Sequence, residues 1–191
     1  MIGESFRDDW KMIYPDVPPL GHMLRAFRLE MWTRFHALPE SKRYAETQAE
    51  GQTILDRANA IAGFLFEPGQ EVWLANCDIH YEDEPRRTSK ALPGIASPLR
   101  FEFSSDESVY FEEQTRVEVF AAKTVWKPGR FDELLSEIAE DRERAVWFDP
   151  VSGRVFAPYD GGFDIVLEDS RLVPEVEAEF RQWMSASDSK L

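Results

Sequence analysis

The stretch from Thr47 to Leu65 constrains this chain more than any other. Thr47 and Glu50 stand three residues apart, the spacing at which a hydroxyl caps the first N–H groups of a helix and a carboxylate reaches back. Behind them Ile54, Leu55, Ala58, Ile61, Ala62 and Leu65 fall on one stripe of a 3.6-residue period. The spacing predicts a helix over 47–65. A helix with one apolar face must lie on another layer, so the rest of the chain has to supply a surface for it.

Strand patterns supply that surface. EMWTRFHAL admits two readings: Leu24, Phe27, Met31, Phe35 and Leu38 fall at helical spacing, but the nearby Pro39 and the β-branched and aromatic content favour a strand, with Trp32, Arg34 and His36 on one face. EVWLANCDI reads as a largely buried strand, and LRFEF, SVYFEEQ and TRVEVFAAKTVW as further ones. RAVWFDP, the VSG turn and RVFAPY form a hairpin; DGG turns the chain again into FDIVL. Helical spacing returns at Phe131, Leu134, Leu135 and Ile138. A closing helix starts near Pro174, with Val176, Phe180, Trp183 and Met184 on its apolar face. GHMLRAF gives a short helical turn. Strands and helices do not alternate regularly. The expected fold is therefore α+β, a mainly antiparallel sheet of five to seven strands with about three substantial helices.

At 191 residues the expectation is one domain over 1–191. Residues 1–21 read as an irregular N-terminal segment, because YPDVPPLG packs three prolines and a glycine together. Residues 82–98, rich in charge and proline, read as a mobile loop. The N-terminus has no apolar leader core, no run approaches a membrane span, and one cysteine excludes an internal disulfide. These features together suggest a cytoplasmic protein and no membrane partner.

Charge narrows the partners. The formal net charge is -14, with 15 acids against 12 bases in residues 1–100 and 21 against 10 in residues 101–191. Such a field repels phosphate backbones, which argues against nucleic acid; it can attract a basic protein partner, although solubility is the simpler reading of the excess acid. No zinc-type Cys/His spacing, HExxH, P-loop, GxGxxG or GxSxG is present, so neither a metal nor a cofactor is expected. Cys77 and the tryptophans read as core.

Two clusters remain. Ser41, Lys42, Arg43 and Tyr44 precede the capped helix, and a helix N-terminus attracts anions. With Arg34 and His36 they offer a pocket for a small anionic, phosphate-bearing ligand. Against this, Glu46 and Glu50 already place negative charge there, so internal ion pairing is the simpler account. The second cluster is APYDGGFD, where Tyr159, Asp160 and Asp164 read as turn residues or as a donor and two carboxylates at a site. If the clusters face each other, Asp160 or Asp164 pairs with Arg43 or Lys42.

Several runs together carry a resemblance. RFHxLPxSKRYA from Arg34 to Ala45, WKPGxFD from Trp126 to Asp132, PYDGGxD from Pro158 to Asp164, and WxS from Trp183 to Ser185 occur in this order. The chain resembles an uncharacterised bacterial family, a domain of unknown function. The resemblance implies a single bacterial domain in which the basic loop and the PYDGG turn share one site; it implies no activity. The leading expectation is an acidic protein-binding module of immunity or regulatory type. The alternative is a small enzyme or sensor for an anionic ligand.

Overall fold

The computed structural model describes residues 2–15, 17–80, 98–101 and 116–185. Helices α1 (Ile2–Ile13) and α2 (Gly21–Phe27) lead into strand β1 (Trp32–His36). Helix α3 (Gln48–Leu65) and strand β2 (Glu71–His80) follow. Then come β3 (Pro98–Phe101), β4 (Arg116–Val125), α4 (Asp132–Ala139), β5 (Ala145–Phe148), β6 (Val155–Tyr159), β7 (Gly162–Val166) and α5 (Val173–Glu179). The strands form one antiparallel sheet in the order β1-β7-β6-β5-β2-β4-β3. The fold is α+β, as the pattern of elements predicts.

Alternation along the strands sends side chains to two cores, one on each face. Ala145 and Trp147 of β5 join Ile54, Ala58, Ile61 and Leu65 of α3 and Leu135 of α4. Val146 and Phe148 of the same strand join Phe6, Trp10 and Leu24. Burial on both faces explains why β5 reads as a continuous apolar run. The capping box of α3 forms as its spacing predicts: Glu50 N donates to Thr47 Oγ1 at 3.2 Å, and Glu50 Oε2 accepts from Thr47 N at 3.1 Å. Pro174 lies in the first turn of α5, and Phe180 and Val176 are buried against the same core.

One expectation is overturned. Residues 1–21 are not irregular throughout, because Ile2–Ile13 is helical. Phe6 and Trp10 stand four residues apart and Tyr14 four further on, so all three side chains line one side and bury completely or nearly so. Trp10 Nε1 donates to Val17 O at 2.7 Å and Tyr14 Oη to Gly153 O at 2.6 Å, which fixes the segment after the helix. The mobile loop expected at 82–98 lies outside the described residues, except that Pro98 opens β3. SVYFEEQ also lies outside them. Among the described residues no helix is long and apolar enough to cross a membrane.

Candidate functional site

The site starts from strand register. Arg34 of β1 lies opposite Asp164 of β7, which in turn lies opposite Ala157 of β6. Phe35 packs into the core under α3, so Arg34 is directed to the face that α2 covers. There Arg34 Nε and Nη2 donate to Asp164 Oδ1 and Oδ2 at 2.6 and 2.9 Å, a bidentate pair. The Asp164 residue is 2% exposed. The Arg34 guanidinium also stands 4.8 Å from the Tyr159 ring centre and 5.4 Å from that of Trp32. Burial pulls the Arg34 pKa down, but the bonds and charge of Asp164 outweigh it and hold the group above its ordinary value.

Two glycines make this approach possible. A Cβ on Gly21, the first residue of α2, would meet Ala157 Cβ at 3.0 Å and Asp164 Oδ2 at 3.3 Å. A Cβ on Gly162 would lie 2.2 Å from Phe35 O and 2.9 Å from the Tyr159 hydroxyl. The second glycine of the DGG turn is thus required by β1 lying against it, more than by the turn itself.

The basic loop arrives from the other side. Glu40 and Ser41 both have left-handed backbone, with φ of 56° and 57°, which aims the following residues back toward the β6–β7 turn. Arg43 Nε donates to Asp160 Oδ2 at 2.5 Å, and the Tyr44 hydroxyl donates to the same oxygen at 2.8 Å. The hydrogen bond to Asp160 is the main cause that raises the pKa of both Arg43 and Tyr44. Lys42 turns the opposite way, with Nζ 2.6 Å from Glu50 Oε1 and 3.1 Å from Glu46 Oε2. Glu50 Oε2 accepts from the N–H groups of Glu46 and Thr47, so the entrance to α3 is filled by the chain's own carboxylate. Lys42, then the Glu46 N–H, hold the Glu50 pKa down at about 2. His36 Nε2 lies 3.3 Å from Ser41 Oγ, and burial, then Arg34 and Arg57, push its pKa below the usual value.

The two sequence clusters therefore meet. Of the nine residues singled out, Arg34, Tyr159, Asp160 and Asp164 line a cleft of about 240 Å³ on the α2 side of the sheet. Ser41, Lys42, Arg43, Tyr44 and His36 are not part of its lining, although Arg43 and Tyr44 both donate to Asp160. The family model of a domain of unknown function, DUF3885, matches residues 20–188. The chain belongs to that family. No curated protein and no solved structure matches it. The residues that match the DUF3885 model include every charged side chain of the cleft, while α1 lies before them.

Other parts of the cleft were not singled out from the sequence. His22 of α2 lines it, with Asp141, Glu143 and Arg144 from the connection between α4 and β5. Arg144 Nη2 is 3.2 Å from Asp141 Oδ1, and Glu143 Oε2 accepts from Asn76 Nδ2 at 3.1 Å. Desolvation lowers the His22 pKa; Asp164 works against it, and Arg144 and Arg34 with it. These positions are separated by over a hundred residues and share no local pattern. The close approach at Gly21 is the one signal that a glycine before a helix offers. Cys77 closes the floor, its thiol donating to Pro19 O at 3.0 Å. Burial, chiefly, raises the Tyr159 pKa to about 12, so its phenol stays a protonated donor at neutral pH. Among the described residues no three His, Cys, Asp or Glu side chains converge as a metal ion requires.

Proposed function

We propose that this chain is a cytoplasmic binding module, of neutralising or regulatory type, for a basic protein partner in its bacterial host. The observation that carries this reading is the disposition of charge around the cleft. Each cation the sequence offered for an anionic ligand already holds a carboxylate: Arg34 holds Asp164, Arg43 holds Asp160, and Lys42 holds Glu50. The cleft itself carries four carboxylates, Asp141, Glu143, Asp160 and Asp164, against the two guanidinium groups of Arg34 and Arg144. A further anion entering there meets net negative charge in a chain of net charge -14. A basic surface meets attraction, which speeds encounter and disfavours wrong partners. The single cysteine, buried and unbridged, suits a reducing compartment. The small-enzyme reading has less in its favour, since its anion-holding groups are already engaged.

The test is capture by the full chain from lysate of its native host at low and at high salt. The expected result is one or more retained proteins of high isoelectric point, released as the Debye length shrinks from about 10 Å at 0.1 M to about 3 Å at 1 M. Genes for such a partner beside the gene for this chain would strengthen the case. Retention of acidic proteins, or a thermal shift with sugar phosphates and none with basic proteins, would favour the anionic-ligand reading instead.

A further inference from the structure

Asp160 combines burial with an uneven set of partners. Its side chain is 9% exposed, yet both of its hydrogen bonds, from Arg43 Nε and the Tyr44 hydroxyl, fall on the same oxygen, Oδ2. Oδ1 is left over: among the described residues nothing donates to it, and it is not sealed from solvent. Asp160 and Glu143 both line the cleft. That open oxygen has only solvent to pair with, and the strongest donors to carboxylates are charged ones. The guanidinium that now offsets Asp160 belongs to Arg43, whose side chain is 62% exposed and hangs from a loop with two left-handed residues.

From this we infer that the cleft is the anchor point for one arginine or lysine side chain of the partner, with Asp160 Oδ1 as its principal acceptor and Arg43 as an internal competitor for the same carboxylate. The inference rests on the basic-partner reading and makes it local. Size agrees: about 240 Å³ admits a single long side chain and excludes a folded element. Chemistry agrees too, since Arg34 pairs with Asp164 and Arg144 with Asp141, leaving Asp160 and Glu143 to set the sign of the charge an incoming side chain meets. A buried charge pair at the centre of an interface is where truncation costs a complex most.

The experiment is calorimetric titration of the full chain with a short oligoarginine peptide at low salt. Arg43→Ala removes the competitor and is expected to tighten binding by roughly five- to tenfold. Arg171→Ala deletes an equally charged, exposed arginine that pairs with Asp169 away from the cleft, and should change affinity less than about twofold. In the other direction, Glu143→Gln should weaken binding more than Glu175→Gln, an exposed acid of α5. Circular dichroism checks that each variant folds. Equal effects within both pairs would overturn the anchor and leave a diffuse electrostatic surface, with the basic-partner reading intact. Absence of oligoarginine binding by any of the proteins would overturn both. Binding of free arginine amide as tight as the peptide would make the cleft a small-cation site and end the partner form of the inference.

Discussion

Arg34 and Asp164 are a charged pair held in the middle of a sheet face, the acid 2% exposed and the arginine side chain 14% exposed. Removing two charges from water costs several kcal/mol per ion, and good geometry does little more than offset it. The pair therefore matters less for net stability than for what happens when half of it is lost. Arg34→Ala leaves a buried carboxylate alone and is expected to destabilise the fold by about 3–5 kcal/mol, read as a drop in the urea midpoint. Arg34→Leu combined with Asp164→Leu should lose much less than Arg34→Ala alone. A double variant as unstable as the single would mean that packing around Trp32 and Tyr159, rather than charge, is what Arg34 provides. Arg43 and Asp160 differ in kind, because solvent reaches the arginine and screens the pair. That asymmetry makes Arg43 exchangeable and Arg34 structural.

Among elements, the contrast between β7 and α3 shows how a glycine means different things in different places. Gly162 lets β1 lie against β7, and an added methyl group would stand 2.2 Å from Phe35 O. Gly162→Ala should cost about 1–3 kcal/mol in thermal or urea unfolding, the range for forcing atoms into a packed region, and should displace the Tyr159 hydroxyl. Gly51 sits in the first turns of α3 with open space where a Cβ would go. Gly51→Ala should raise stability by about 0.5–1 kcal/mol through the helix entropy that glycine wastes. The same comparison explains what could be read early. Helix α3 announces itself because cap and stripe both lie within the segment. Helix α1 is harder to see: polar residues make up half of IGESFRDDWKMI, and the four-residue spacing of Phe6 and Trp10 gains its meaning when Phe148 of β5 packs against both rings.

For the molecule as a whole, acid is the informative variable. Burial, then Arg34 and Arg57, hold His36 below its ordinary 6.5, so the folded chain resists its protonation more than the unfolded chain does. That stabilising difference is intact above pH 6.5 and fades as pH falls below it. Glu50 is held at about 2 against an ordinary 4.5, and Asp169 at about 2 against 3.8, so their contributions are intact above those ordinary values and disappear as pH falls toward 2. Stability measured by urea titration across pH should therefore fall in two stages on acidification. His36→Asn should shrink the first stage, to which His22 also contributes with the same sign, and Glu50→Gln should shrink the second. A profile unchanged by either substitution would show that other groups govern acid unfolding. Between the stages the molecule passes its isoelectric point near 4.7, where self-repulsion vanishes and solubility is expected to be lowest.

The α+β class, the capped helix, the β5–β6 hairpin and the chain's own net negative charge all follow from the sequence, because each is encoded in neighbouring residues or in a sum over all of them. Membership of the sheet order, the helix at residues 2–13 and the cleft do not. His22, Arg34, Asp141, Glu143, Asp160 and Asp164 converge only when β1 crosses to the far edge beside β7 and α2 folds back over β6 and β7. Local spacing carries information over a turn or a hairpin, whereas a concave site is made by contacts between segments far apart along the chain.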